Sequence, residues 1–342
     1  MKEEGLIGTV DYRPSKAAKI KYKISLLSEK GQNIALDIIN GKREPQSLVS
    51  PVPGQKETGM DKDEKIKIID LVADYVQYQH VTKKISKSQY RDIFLKTLKV
   101  RSGLGKPDKS LYNIPCPPRP DDVHESNRLH IGMGIKGDHF FQETGYRPVF
   151  SDLLDTDYGY KEGIQIEFGA SKLRYYDADK KLALESLDLI DIVSISPIDK
   201  FFMSYSWKVG TGLARKRMRD GHDSLFYRLN TGGGFAFHND SLGLHYLFME
   251  PELDIGGNLE ESYALGLGVS AGVIKRLSRS WKCHLAARTM YFAFGDTDHS
   301  HELSLSQNIR LSRNTSITLD VSWERAFDSS HVDAGVNWNI FF

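Results

Sequence analysis

Cysteine is nearly absent: the 342-residue chain has two, Cys116 and Cys283. No CxxC pair and no Cys/His spacing of the zinc-binding kind occurs, which argues against a structural metal. Two lone cysteines far apart do not settle the redox compartment. Long apolar runs are also missing. None reaches the roughly 18 residues of a helical membrane span, and MKEEGLIGTV lacks the charged-then-apolar pattern of an export signal. Neither absence excludes a β-barrel, whose strands hide their apolar half by alternation. Charge of one sign is lacking overall, with a formal net of +1, yet residues 1–122 carry a net +7 and the remainder −6. A basic excess on helices reads as a solvated face, and contact with an anionic lipid surface is the sharper reading. No basic run is interleaved with aromatics, so no nucleic-acid partner is expected.

Residues 15–101 carry helical spacing. In DKDEKIKIIDLVADYVQYQ, Ile68, Leu71, Val72, Tyr75 and Val76 form one stripe, and Asp61, Asp63 and Glu64 suit a positive helix N-terminus. Ser86 with Gln89 forms a capping box ahead of Tyr90, Ile93, Phe94 and Leu98, the expected stripe of a further helix. The intervening QSLVSPVPGQKETGM reads as an exposed loop. Pro115, Pro117, Pro118 and Pro120 then bar regular helix and favour an extended linker.

From Asn127 onward the period changes to two. RLHIGMGIK, FFMSYSWKVGTGL, SYALGLGVSAGV and WKCHLAARTMYFAF alternate, with turn signals such as RDGHD, GDTD and SRN between such runs. Residues 162–197 are the least regular. The pattern predicts an α+β chain in two domains: a helical domain over 1–106, a Pro-rich linker over 107–123, and an antiparallel, closed β-barrel of about twelve strands over 124–342. Alternation does not say which face is apolar. A soluble barrel turns it inward to a core, and a membrane barrel turns it outward to lipid. Three features lean toward lipid. Small and polar residues share the other face (Ser204, Ser206, Lys208, Gly210; Gly266, Gly268, Ser270, Gly272). Tyr263, Tyr291, Trp323 and Trp338 lie on the apolar face near strand ends. The last strand, VDAGVNWNIFF, keeps its alternation to Phe342. Trp338, Ile340 and Phe342 are therefore candidates for an assembly signal read by barrel-assembly machinery.

The segments VDYRPSKAAKIKYKISLLSEKGQNIALDIINGK, RPDDVHESNRLHIGMG, GYRPVFSDLLDTDYGY and SPIDKFFMSYSWKV carry a resemblance. They are similar to the C-terminal two thirds of bacterial envelope proteins bearing an Lnb-type N-terminal periplasmic domain of papain/NlpC-like fold. The resemblance covers nearly the whole chain. It implies an outer-membrane barrel with the helical domain in the periplasm, anchoring or scaffolding a hydrolase-like domain. The chain begins just before YRPS, where that first domain would end, and the Asn-Cys element supplying its thiol is missing. The sequence thus reads as a fragment, a truncated gene model or a chain that lost its catalytic partner. No catalytic residue carries over, and no cofactor is expected. A soluble periplasmic barrel that binds a ligand or partner is the alternative.

His124-Glu125-Ser126-Asn127-Arg128 is the sharpest local motif. On a strand, His124, Ser126, Arg128 and His130 would share one face. The run resembles the HxSNGR element of outer-membrane phospholipase A, which implies a lipid esterase in which His124 activates Ser126. The Gly between Asn and Arg is absent, however, and the parity places the pair in the lumen rather than against lipid. The bland reading is a polar lumen network of these four residues. Asp152, Asp155, Asp157 and Tyr158 could offer oxygen ligands, but without EF-hand spacing. Asp296, Asp298, His299 and His301 surround a hairpin and form a weak metal candidate. GGG at 232–234 lacks the strand-to-helix setting of a phosphate loop and suits close packing instead.

Overall fold

The computed structural model describes residues 13–50, 60–106, 113–114, 123–155, 161–218, 222–326 and 329–342. The chain divides into two compact units, Met1–Pro117 and Pro118–Phe342.

The first unit contains α1 (Lys16–Ser25), α2 (Glu29–Ile39), a 3-10 turn (Pro45–Leu48), α3 (Lys62–Val81) and α4 (Lys87–Gly103). Each α-helix starts at a side-chain cap: Ser15, Ser28, Asp61 and Ser86. The Ser86/Gln89 capping box forms in both directions, at 3.1 and 3.3 Å. The three other helices all pack against α3. This explains why Ile66, Ile68, Ile69, Leu71, Val72 and Val76 are all buried, on more than one face. Lys23–Asp74 and Arg101–Asp70 fasten α1 and α4 to it at 2.5 and 2.7 Å. Among the described residues no helix is long and apolar enough to cross a membrane.

Two expectations need correction here. Leu98 is 44% exposed, because α4 buries Thr97 and Val100 instead. Thr97 tolerates burial by donating its hydroxyl to the Ile93 carbonyl at 2.7 Å. The start of the supposed exposed loop is a 3-10 turn with Leu48 buried; residues 51–59 and most of the proline linker, Cys116 included, lie outside the described residues.

The second unit is one antiparallel sheet closed on itself. Its strands are β1 (Arg128–Lys136), β2 (His139–Arg147), β3 (Phe150–Ser151), β4 (Ile164–Tyr176), β5 (Lys181–Ser194), β6 (Ser206–Arg217), β7 (Asp223–Asn239), β8 (Gly243–Ile255), β9 (Tyr263–Arg276), β10 (Trp281–Gly295), β11 (Asp298–Arg310), β12 (Thr315–Ala326) and β13 (Ser329–Phe341). Each long strand pairs with its sequence neighbour, β2 pairs with β4, and β1 pairs with β13 from Arg128↔Phe341 to Lys136↔Asp333. The two-residue β3 lies along β4. A closed barrel of twelve long strands results, as the alternation predicts. Closure removes the edges that an open sheet of this size would expose.

β1 begins and β13 ends at one end of the barrel, called the terminal end below. The long connections 148–163 and 195–205 also leave that end. The irregular stretch has a definite cause. Gly169 takes φ +65°, and the pairing slips between Lys172 and Leu173 and again between Asp188 and Ile190. Each slip reverses which parity faces inward.

Candidate functional site

The apolar residues of the strands point outward. Ile131 is 58% exposed, Leu267 54% and Trp338 56%, and Met133, Leu265, Val269, Leu303, Val321 and Val336 are exposed beside them. Exposed aromatics gather toward both ends. Tyr146, Trp207, Trp281, Trp338 and Phe342 lie toward the terminal end, and Phe140, Tyr175, Tyr227, Tyr263 and Tyr291 toward the far end. The opposite parity carries the charges. Arg147, Glu143, Arg174, Glu250, Glu252 and Asp254 are all buried inside the barrel.

Those interior charges are matched in clusters. Glu250 takes Lys208 at 2.8 Å and Arg288 at 3.0 Å. Glu252 takes Arg288 at 2.5 Å and Arg228 at 3.3 Å, and Asp254 takes Arg228 at 3.0 Å. On the opposite wall Arg174 bridges Glu143 at 2.7 Å and Asp333 at 2.5 Å, its guanidinium lying over Phe141. At the far end Lys136 and Arg217 share Asp223, at 2.7 and 3.2 Å.

A fourth group shapes the terminal mouth. Beyond β2 the chain turns inward, and residues 150–155 form a strap. Arg147 donates to Asp155 at 2.7 Å, to Asp152 and Glu167 at 3.2 Å each, and to the Phe150 carbonyl at 3.3 Å. Arg128 also pairs with Asp152. Burial alone would raise the carboxyl of Asp152, which lies outside the strands. Arg128 and Arg147 outweigh that and hold it well below the usual carboxylate range. Leu153 packs on an inward apolar patch of Val193, Ile195, Leu244, Phe248 and Ile274. The strap then reaches the opposite wall. Asn308 of β11 donates to the Leu154 carbonyl at 2.9 Å, and Lys282 of β10 to the Asp155 carbonyl at 3.2 Å. β4 and β10 stand half a ring apart, so the strap crosses the mouth.

The four-residue lumen network read from HESNRLH comes together only in part. His124 and Ser126 are not on a strand, because β1 begins at Arg128. Arg128 pairs with Phe341, the last residue of β13, and beyond that pair the Phe342 amide donates to the Asn127 carbonyl at 3.0 Å. His124 is buried against the Phe341 ring, 4.3 Å between centroids, with its Nε2 3.9 Å from Asp155. Its Nδ1 lies 2.6 Å from the Glu125 carbonyl, not on Ser126. Arg128 joins the strap, while His130 belongs to the separate Glu143 cluster at 3.2 Å. Phe341, on the polar parity of the last strand, fills the space between His124 and Arg147.

The other candidates disperse. Asp152 and Asp155 are taken up by arginines, and Asp157 and Tyr158 lie outside the described residues. Asp296 accepts from the Glu260 amide, and Asp298 faces Lys216 across the interior at 3.6 Å. His299 and His301 sit on the outer parity against Tyr291 and Thr289. Alternation therefore splits the hairpin group, and no group of three or more metal-ligating residues forms among the described residues. Cys283 and His284 take opposite faces, with His284 bonded to Tyr246 at 2.9 Å. At Gly234 an added Cβ would lie 1.8 Å from the Leu247 carbonyl and at Gly232 3.1 Å from Lys208, so these two serve close packing, whereas one at Gly233 would meet nothing within 4 Å. The residues missed from sequence are Arg147, Glu143, Arg174, Arg288 and the row Glu250, Glu252, Asp254. That row had a signal: three acids at period two in MEPELDI, on the parity opposite Met249 and Leu253.

Geometry thus defines a closed antiparallel barrel with an apolar exterior, an ion-paired interior and a strapped mouth. The chain belongs to the family described as Domain of unknown function (DUF7840), whose model matches residues 117–341. Residues 10–110 match a second, Domain of unknown function (DUF7842). No curated protein matches the sequence. Among solved structures, an outer membrane channel from Pseudomonas putida F1 is similar at 8% identity and TM-score 0.41, covering 64% of this chain and 96% of its own. The NanC porin is similar at 7% identity and TM-score 0.38, covering 63% and 99%. The KdgM porin is similar at 12% identity and TM-score 0.33, covering 62% and 98%. These likenesses are distant, and the barrel stands on its own strand pairing.

Proposed function

We propose that the protein is an outer-membrane β-barrel with a structural role, its helical unit in the periplasm, and that it anchors a hydrolase-like domain of the kind carried by the envelope proteins it resembles. One observation carries the membrane reading: the apolar side chains of the long strands face outward and the charges inward. In water such a surface exceeds by far the few hundred Å² of contiguous apolar patch typical of soluble monomers; in a bilayer it is the favourable arrangement. The paired aromatic groups fit the two interfaces of a membrane. Strands of 9 to 17 residues are long enough to span, since about 9–11 suffice when tilted. The same polarity disfavours a soluble ligand-binding barrel. The esterase reading gains nothing, since His124 is engaged by Phe341 and its neighbouring carbonyl.

The purified full chain is expected to require detergent, and to migrate faster on a gel unheated than boiled, as a compact barrel does. A monomer soluble without detergent and showing no heat-dependent shift would sink the membrane reading. Trp338, Ile340 and Phe342 supply the proposed assembly signal. Phe342 is outward and stacks on Tyr146, centroids 6.4 Å apart. Deleting it should lower the yield of heat-modifiable barrel in cell envelopes severalfold, yet leave detergent refolding of the same chain close to normal. Equal loss in both assays would make Phe342 a stability residue only.

A further inference from the structure

The interior is not filled from end to end. Its middle is solvated: the lumen-facing Asp188, Asp191, Ser304 and Asp320 are half-buried and Glu302 is exposed. Gly210 and Gly335 border the same space, where an added Cβ would meet nothing nearer than 3.6 Å. Toward the far end a cavity of about 500 Å³ opens beside Lys136, Tyr176 and Arg217. Toward the terminal end a second, of about 270 Å³, runs past Lys208, Ser270 and Phe248 and stops against Asp152, Leu153 and Leu154. The strap is therefore what closes the hollow at that end.

The charge of the solvated middle differs from that of the paired clusters. Asp188, Asp191, Glu302 and Asp320 have no cation within ion-pair distance among the described residues. Lys172, a cation of that region, stands 4.0 Å from a different carboxylate, Glu143. Carboxylates with no direct ion-pair partner, set between low-dielectric walls, raise the local concentration of cations. The strap's attachment is unequal as well. Arg128 and Arg147 pin the Asp152 and Asp155 carboxylates toward the β1/β2 wall, whereas the strap meets the rest of the mouth through the Asn308 and Lys282 hydrogen bonds to its carbonyls and through Leu153 packing on Val193, Ile195 and Phe248. Those can part without breaking any strand pairing.

We propose that the lumen is a gated passage favouring small cations, and that residues 150–155 are its gate, opening from the β10/β11 wall while the arginine-held base acts as the hinge. This rests on the membrane reading, whose failure would show separately as the absence of a heat-modifiable barrel. The test is conductance of the full chain in planar bilayers in KCl. Asn308→Leu with Lys282→Met should raise the ratio of open to closed time at least about tenfold, since two hydrogen bonds made only in the closed state are lost. Leu154→Cys with Asn308→Cys, in a Cys116→Ser, Cys283→Ser background, should be silent when cross-linked and recover on reduction. In a KCl gradient the reversal potential should move to the potassium side, and Asp188→Asn with Glu302→Gln should bring the permeability ratio near unity. A heat-modifiable barrel with the same conductance cross-linked and reduced would overturn the gate. Anion preference would overturn the selectivity.

Discussion

Val269→Arg is expected to destabilise the barrel by about 2–4 kcal/mol, and Tyr263→Arg on the same strand by no more than about 1 kcal/mol. Val269 sits midway along β9, outward and 42% exposed, between Thr289 of β10 and Met249 of β8. Tyr263 opens the same strand at the far end, among the aromatics of one interface. If lipid surrounds the barrel, an arginine at mid-depth must be dragged to an interface or leave its charge in hydrocarbon, whereas one at the interface keeps its water. In a water-soluble barrel both sites would be ordinary surface, and each change would fall within about 0.5 kcal/mol. Guanidinium titration of the barrel refolded in lipid vesicles, followed by tryptophan emission, measures the difference. Two equal small effects would place the outer face in water.

The sequence discloses alternation but not its sense. A period of two is the same whether the apolar face meets a core or lipid, and only ring closure decides which parity lies inside. The helices were legible because caps are local: Ser86 and Gln89 find each other within one turn. Leu98 misled because α4 meets α3 along a neighbouring row. Residues 162–197 could not be parsed because Gly169 and the slips at Lys172/Leu173 and Asp188/Ile190 exchange the two parities mid-strand. HESNR misled for a related reason: periodicity does not reveal that pairing begins only at Arg128. The strap was invisible, since its partners Arg147, Lys282 and Asn308 are spread over many residues and meet only when the barrel closes.

Arg147→Met is expected to cost about 3–5 kcal/mol, the penalty of leaving buried charges without their partner. Arg147 is 1% exposed and touches three carboxylates, those of Asp152, Asp155 and Glu167, besides the Phe150 carbonyl. Its removal leaves Asp155 and Glu167 with only the longer Arg128 contacts, at 3.7 and 3.8 Å, while Asp152 keeps its own pair with Arg128. Arg147→Lys should recover only part of the loss, since a point charge does not reproduce a planar fork with three separate acceptors. Adding Asp155→Asn to Arg147→Met should be less damaging than the sum of the two changes, because it removes a charge the first left unmatched. Acid should act on the same group. Asp152 has a folded value below its unfolded one of about 3.9. Its contribution is therefore complete above that value and lost as pH falls through the folded value. Urea titration of wild type, both single variants and the double variant closes the cycle. Additive losses would mean that Arg147 and Asp155 act independently and that the strap is held by its apolar packing on Val193 and Ile195 rather than by charge.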